Sequence, residues 1–341
     1  MKAIQVVRPG ELVISDQPLP VPEIAGHVLI QIKAAGICGS DISIFRGTSP
    51  VAVYPRIIGH EFAGEVVSTG ANVSGVDPGD HVVVNPVIQC GECPICKRGR
   101  GNVCANLQVI GVHVDGGFRE YVSVPEKNVF KISSDIAWEE AAIIEPYTVA
   151  AQVTSRGGVQ AGDTVLILGC GQIALTILQV CKLIGASCIM TDLVASRLER
   201  AKEFGADEVI NSAVEDVRSR VLELTGGLGV DVSIDAACVG KTLEQAAECT
   251  RSAGVVVTMG FAERIVPITE LAITKNELDI RGSRLNNNKF PQVIEWVESG
   301  KLQPRKIITH KLPFTDVLEG FEKIKNDPEN TLKVILTFEQ E

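Results

Sequence analysis

No apolar run in this chain is long enough to cross a bilayer. The longest, Ile4 to Val7, Val82 to Val84, Val165 to Leu168 and Val255 to Val257, are strand-length, against roughly 18 residues for a membrane helix. An excess of basic residues is lacking too: 42 Asp and Glu face 32 Lys and Arg, a formal net charge of −10. Nucleic-acid affinity rests on a basic surface, so that class of partner is excluded. No charged-then-apolar leader opens the chain; Met1 to Asp16 reads as strand and turn. Export is therefore not expected, and a cytoplasmic location is. Repeats and low-complexity tracts are missing as well. Apolar residues at 45% and charged residues at 22% are ordinary globular values and exclude disorder, collagen and coiled coil.

What is present suggests two domains, since 341 residues is about twice a domain of roughly 150. Ten cysteines without a leader, four of them between residues 90 and 104, mean reduced thiols with some holding metal. Cys170, Cys181, Cys188, Cys238 and Cys249 sit in apolar surroundings and read as small core residues. Before residue 150, short β-branched runs such as Val28 to Lys33, Gly64 to Ser68 and His81 to Asn85 are separated by Gly and Pro, giving an all-β texture. After it, strands alternate with helical patterns: Thr164 to Leu168, then helix Ile173 to Ile184; Ser187 to Thr191, then helix Ser196 to Phe204; and Glu208 to Ile210, then helix Val214 to Thr225. Val230 to Asp235, helix Thr242 to Thr250, Gly254 to Met259 and Leu278 to Gly282 continue the series. Such alternation means βαβ units and a parallel sheet. The fold class is α/β with a β-rich part. The parallel-sheet domain is expected at 149–287, inserted into a β-rich domain made of 1–148 and 288–341.

Strand Thr164 to Leu168 runs into Gly169-Cys170-Gly171-Gln172-Ile173-Ala174, a G-x-G-x-x-A turn opening a helix. Gly169 allows the tight turn, Gly171 lets the backbone approach a pyrophosphate, and a small third residue permits helix–strand packing. Free N–H groups at the helix start, including those of Gln172 and Ile173, suit the phosphates. Asp192 ends the next strand, 23 residues after Gly169. A carboxylate there accepts from both ribose hydroxyls and repels a 2′-phosphate, which favours NAD over NADP. Arg197 lies close enough to modify that preference.

Cys90, Cys93, Cys96 and Cys104 have the spacing C-x2-C-x2-C-x7-C in a Gly- and Pro-rich lobe. Four thiolates make a closed tetrahedral zinc site. Iron–sulfur clusters use related spacings, but nothing else suggests electron transfer. A second set is dispersed: Cys38 in Gly-Ile-Cys-Gly-Ser-Asp, His60-Glu61 in Gly-His-Glu-Phe, and Glu145 in Ile-Ile-Glu-Pro. Together they offer one sulfur, one nitrogen and one or two oxygens, enough for an open zinc site with a vacancy for substrate.

In order and over essentially the whole chain, these motifs resemble the zinc-dependent medium-chain alcohol and polyol dehydrogenases. The phrases Tyr54-Pro55-Arg56-Ile57-Ile58-Gly59-His60-Glu61, Gly111 to Phe118 and Gly282-Ser283-Arg284-Leu285-Asn286 are similar to the bacterial branch with the L-gulonate and L-galactonate 5-dehydrogenases and the starvation-sensing dehydrogenase. The resemblance implies a GroES-like catalytic domain, a doubly wound Rossmann domain and an active site in the cleft between them. It implies two zinc ions per subunit, one catalytic and one structural, NAD as cofactor, and a homodimer or homotetramer. Cys38 and His60 match catalytic-zinc ligands, Glu61 and Glu145 match two carboxylates of which one coordinates, and Ser40 matches the hydroxyl that takes the substrate proton. Many relatives carry His five residues after the zinc Cys; this chain has Ser43, so the proton relay leaves through Ser43, water or the cofactor ribose.

The expected reaction is oxidation of a secondary hydroxyl on a small molecule. A sugar acid needs a cation for its carboxylate, and a planar guanidinium fits best. Arg284 and Arg56 are the candidates, with His113 a third residue expected at the pocket. L-gulonate oxidation to a keto-aldonate such as D-fructuronate is the first choice. A sorbitol- or xylitol-like polyol is the alternative, and a cofactor-binding sensor without turnover is a reading of another class.

Overall fold

The computed structural model describes residues 1–20, 24–263 and 265–338. The chain forms two compact units, Met1–Glu145 with Asn287–Glu341, and Pro146–Asn286. Among the described residues no helix is long and apolar enough to cross a membrane.

The first unit is mostly β. Its central strand, His27–Gly36, is flanked by Glu61–Thr69 and by the final strand Lys333–Thr337, and it also pairs with Tyr121–Pro125. Pairing sets Gly36 opposite Glu61 on one side and opposite Ile335 on the other. The chain's last strand is thereby laid beside a residue near its beginning. Alternating Val28, Ile30, Ile32 and Ala34 are fully buried or nearly so, the period-2 signature of a sheet with one face in a core.

The second unit holds a six-stranded parallel sheet. Its spatial order is Glu208–Asn211, Ser187–Asp192, Thr164–Leu168, Val230–Asp235, Thr250–Thr258 and Asp279–Gly282. Numbered within the unit this is 3-2-1-4-5-6, the dinucleotide-binding order whose ligand crevice lies where strands 1 and 4 part. Val165 to Leu168 have no solvent exposure, as expected of a strand covered on both faces.

Two local expectations change. Helix Ile144–Gly157 was not legible as a helix. Pro146 and the β-branched Thr148, Val149, Val153 and Thr154 lower its propensity, yet Pro fits a first helical turn and Ile144, Tyr147, Ala150 and Val153 make a fully buried stripe. The helix expected from Val214 begins at Val217, because the Asp216 side chain accepts from Ser219 N at 2.8 Å and caps it there.

Candidate active site

The dinucleotide turn takes the form its residues require. Gly169 has φ +98°, and a Cβ there would stand 3.1 Å from the Cβ of Ala237. Gly171 is the N-cap of helix Gln172–Ile184 and has no side-chain cap, so the first N–H groups stay available to an anion. Beside it the buried side-chain nitrogen Nε2 of Gln172 has no hydrogen-bond partner among the described residues. A cavity of about 570 Å³ opens at the strand ends, lined by Gly169, Gly171, Asp192, Arg197, Ser212 and Lys241, among others. Asp192 Oδ2 accepts from Cys170 N at 2.8 Å, Asp192 Oδ1 accepts from Val194 N at 3.0 Å, and Arg197 Nη1 lies 3.9 Å from Oδ2. The carboxylate is thus fixed at the rim of the turn. Ser212 and Lys241 were not anticipated; their signal was position, Ser212 directly after strand Glu208–Asn211 and Lys241 at the N-cap of helix Thr242–Cys249. A dinucleotide fits this donor set.

The four-cysteine lobe also closes on itself. Sγ–Sγ separations are 3.4 Å for Cys90–Cys104, 3.9 Å for Cys93–Cys104 and 4.0 Å for Cys90–Cys96. Disulfide sulfurs would lie about 2.05 Å apart, whereas a zinc tetrahedron with Zn–S of about 2.3 Å has edges of about 3.8 Å. Backbone N–H groups of Cys90, Cys93, Cys96 and Asn106 point at these sulfurs from 3.3–3.4 Å. The N–H groups of Ala105 and Cys96 draw the Cys93 thiol down to about 6, and those of Cys90 and Asn106 lower Cys104. Burial pushes Cys96 up to about 12, reinforced by the neighbouring thiols. The donors suit a thiophilic cation.

Cys38, His60 and Glu61 converge: one ligand atom from each lies within 4.8 Å of the others. The loop that carries them is shaped by Asp41, which sequence reasoning passed over. Cys38 is the N-cap of helix Gly39–Arg46 and Asp41 its third residue. Fully buried, Asp41 accepts from Cys38 N at 2.9 Å and from Gly59 N at 3.1 Å. Its Oδ1 is 3.5 Å from His60 Nδ1. One carboxylate therefore ties the Cys38 turn to the His60 turn, and Nε2 of the imidazole faces Ser40, whose Oγ lies 3.3 Å away. Burial opposes the imidazolium, but Asp41 and Cys38 outweigh it and hold His60 well above its usual value. Glu145, 5% exposed, is pushed up to about 7 by burial, with the Glu61 charge adding to the effect and His60 opposing it. A divalent cation fits a half-buried thiol beside a buried imidazole and carboxylate arranged this way.

The remaining expected residues each have a partner of their own. Ser43 Oγ donates to Gly39 O at 3.0 Å, turned back onto its own helix. Arg56 pairs with Asp115 at 2.8 Å. His113 Nδ1 accepts from Val109 N at 3.1 Å and so braces its loop. Arg284 lies over the Phe261 ring, 4.7 Å from its centroid. Cys170, Cys181, Cys188 and Cys249 are buried as expected, but Cys238 is half-buried. It sits in a turn at φ +52° with its thiol donating to Asp235 O at 3.1 Å, bonded to backbone rather than packed in the core.

The fold and the two cysteine-containing sites define a metal-binding dehydrogenase. Residues 24–134 match the model of the alcohol dehydrogenase GroES-like domain, and residues 173–299 that of the zinc-binding dehydrogenase. The starvation-sensing protein RspB of Escherichia coli K12 is 43% identical over 342 residues, covering all of both chains. L-galactonate-5-dehydrogenase of the same organism is 32% identical, covering 99% of each. The crystal structure of RspB from E. coli CFT073 with NADH superposes with a TM-score of 0.94 at 42% identity, covering 99% of each chain. The chain belongs to the zinc-dependent medium-chain alcohol dehydrogenase family. It is an NAD-dependent oxidoreductase of small molecules, with zinc as its metal.

Proposed function

We propose that this dehydrogenase oxidises a secondary hydroxyl of a sugar acid, with L-gulonate the substrate of choice and a keto-aldonate such as D-fructuronate the product. The observation that carries the chemistry is the convergence of Cys38, His60 and Glu61 within 4.8 Å beside the Ser40 hydroxyl. We assign those three as ligands of the catalytic zinc, Glu145 as the carboxyl beside it, and Cys90, Cys93, Cys96 and Cys104 as ligands of the structural zinc. When bound, the catalytic zinc would supply a Lewis acid for the substrate hydroxyl and NAD a hydride acceptor. Ser40 Oγ takes the hydroxyl proton as it releases its own, which leaves through Ser43, water or the cofactor ribose. Ser43 already donates its own proton to Gly39 O, so it relays a proton only after turning that O–H to another acceptor. Glu145, near neutral pH in its titration, can hold a proton at its own carboxyl. Gly169, Gly171, Gln172 and Ile173 offer the turn and helix start for the pyrophosphate, and Asp192 favours NAD by repelling a 2′-phosphate.

The substrate assignment rests on the guanidiniums. Arg284 and Arg56 are the candidate carboxylate clamps; Arg284 lies over the Phe261 ring and Arg56 pairs with Asp115. The full-length similarity to an L-galactonate-5-dehydrogenase supports an aldonate. Strand Asp279–Gly282 is the edge of its sheet, which suits a homodimer or homotetramer, and we place the protein in the cytoplasm. The test is a panel of aldonates and polyols with the Arg284→Ala variant alongside. Turnover of L-gulonate, with KM raised in the variant, supports the clamp. Turnover confined to sorbitol-like polyols removes it, and no turnover with both metals bound favours the sensor.

A further inference from the structure

One buried charge near the proposed metal site has no role in the chemistry so far. Lys333 is 1% exposed, at the start of the final strand. Its ammonium donates to Glu61 Oε1 at 3.0 Å, to Glu61 Oε2 at 2.8 Å and to Ile37 O at 3.1 Å. An ammonium has three donors, and all three are used. A second feature serves the same carboxylate. Gly36 lies opposite Glu61 in the sheet, and a Cβ on it would stand 2.3 Å from Glu61 Oε2. The carboxylate occupies the space that any other residue at position 36 would fill. Stability alone is a poor reason for this arrangement, because a buried ion pair often does no better than two packed apolar side chains.

The Glu61 oxygens have about four lone-pair sites, and Lys333 takes one on each oxygen, leaving an open lone pair on either. Ile37, the third partner, immediately precedes Cys38. The same ammonium therefore holds one proposed ligand by its side chain and the backbone of the residue just before another.

We propose that Lys333 is a positioning residue for the metal site: together with the missing side chain at Gly36, it fixes the Glu61 carboxylate and the strand leading to Cys38 in the arrangement that receives the metal. The inference rests on Cys38, His60 and Glu61 being the ligands. Partners behind a metal ligand typically contribute about 10–100-fold in affinity. The test uses the full chain with the four-cysteine site filled and measures Co²⁺ and Zn²⁺ affinity at the second site, with the visible spectrum of bound Co²⁺. Lys333→Met and Gly36→Ala should each weaken binding about 10–100-fold and alter the cobalt spectrum, and Lys333→Arg should restore most of both. Gly36→Ala moves Glu61 while leaving Lys333 in place, so it decides the matter if Lys333→Met does not fold. Unchanged affinity and spectrum in either folded variant, even with a lowered Tm, would overturn the proposal and leave Lys333 a structural residue. A wild-type chain that takes up only one metal would instead refute the ligand assignment beneath it.

Discussion

Asp41→Asn is the substitution that most directly probes how the chain assembles its metal-binding loops. Shape is preserved and charge is lost. The aspartate uses both oxygens, one for Cys38 N and one for Gly59 N. Asparagine keeps one oxygen, so one of these N–H groups meets an NH₂ instead of an acceptor. Losing a buried hydrogen bond to a charged group costs roughly 1.5–3 kcal/mol, and facing a donor with a donor places the total near about 3 kcal/mol. For a unit of this size, each kcal/mol moves Tm by roughly 2–4 °C, so a fall of about 6–12 °C is expected. His60 also loses the carboxylate 3.5 Å from Nδ1, and metal affinity at that site should drop about 10–100-fold. Thermal unfolding followed in the far-ultraviolet, with a chelator-competition titration of the metal, reads both quantities. A Tm within about 2 °C of wild type, together with unchanged metal affinity, would refute the view that one carboxylate organises both turns.

Other consequences can be checked separately. Asp192→Ala should weaken NAD at least roughly tenfold relative to NADP, about 1.4 kcal/mol; isothermal titration with both cofactors gives the ratio, and an unchanged ratio would dismiss the ribose role. Cys93→Ser should release one zinc per chain while the Cys38–His60 metal stays, as metal analysis would show; retention of both would count against a four-thiolate site. Metal uptake at Cys38–His60 should release protons and weaken as pH falls. His60, held above its usual value by Asp41 and Cys38, must give up its proton to coordinate, and Glu145, raised to about 7 by burial, becomes charged only above that pH. Titrations at about pH 6 and about pH 8 in buffers of different ionisation enthalpy would show the release, and pH-independent affinity would contradict it.

The parallel sheet and its dinucleotide turn were legible because strands alternate with turn signals and helix patterns, and because Gly169, Gly171 and Asp192 stand at fixed distances from one another; the spatial order of the strands was not. The four-cysteine lobe was legible because its ligands are neighbours in sequence. What stayed hidden depended on contacts between distant residues. Lys333 and Glu61 are separated by 272 positions, and only the pairing of the last strand beside His27–Gly36 brings them together; a lone lysine inside the apolar run Leu332 to Phe338 was the available sign. Asp41 was quoted within a motif, but its bond to Gly59 N needs the tertiary fold. The reach of Arg56 to Asp115 and the turning of Ser43 onto Gly39 were likewise undetermined by spacing. Helix Ile144–Gly157 was masked by β-branched residues whose cost is offset by burial, a case of tertiary packing outweighing local propensity.

The central claim is that Cys38, His60 and Glu61 hold the zinc at which a substrate hydroxyl is oxidised by NAD. The most direct test counts zinc per chain and follows NADH formation from L-gulonate in the wild type and in Cys38→Ala. The account predicts two zinc ions and turnover in the wild type, and one zinc, a normal Tm transition for the rest of the chain and no NADH in the variant. Two zinc ions and undiminished NADH formation in Cys38→Ala would contradict it.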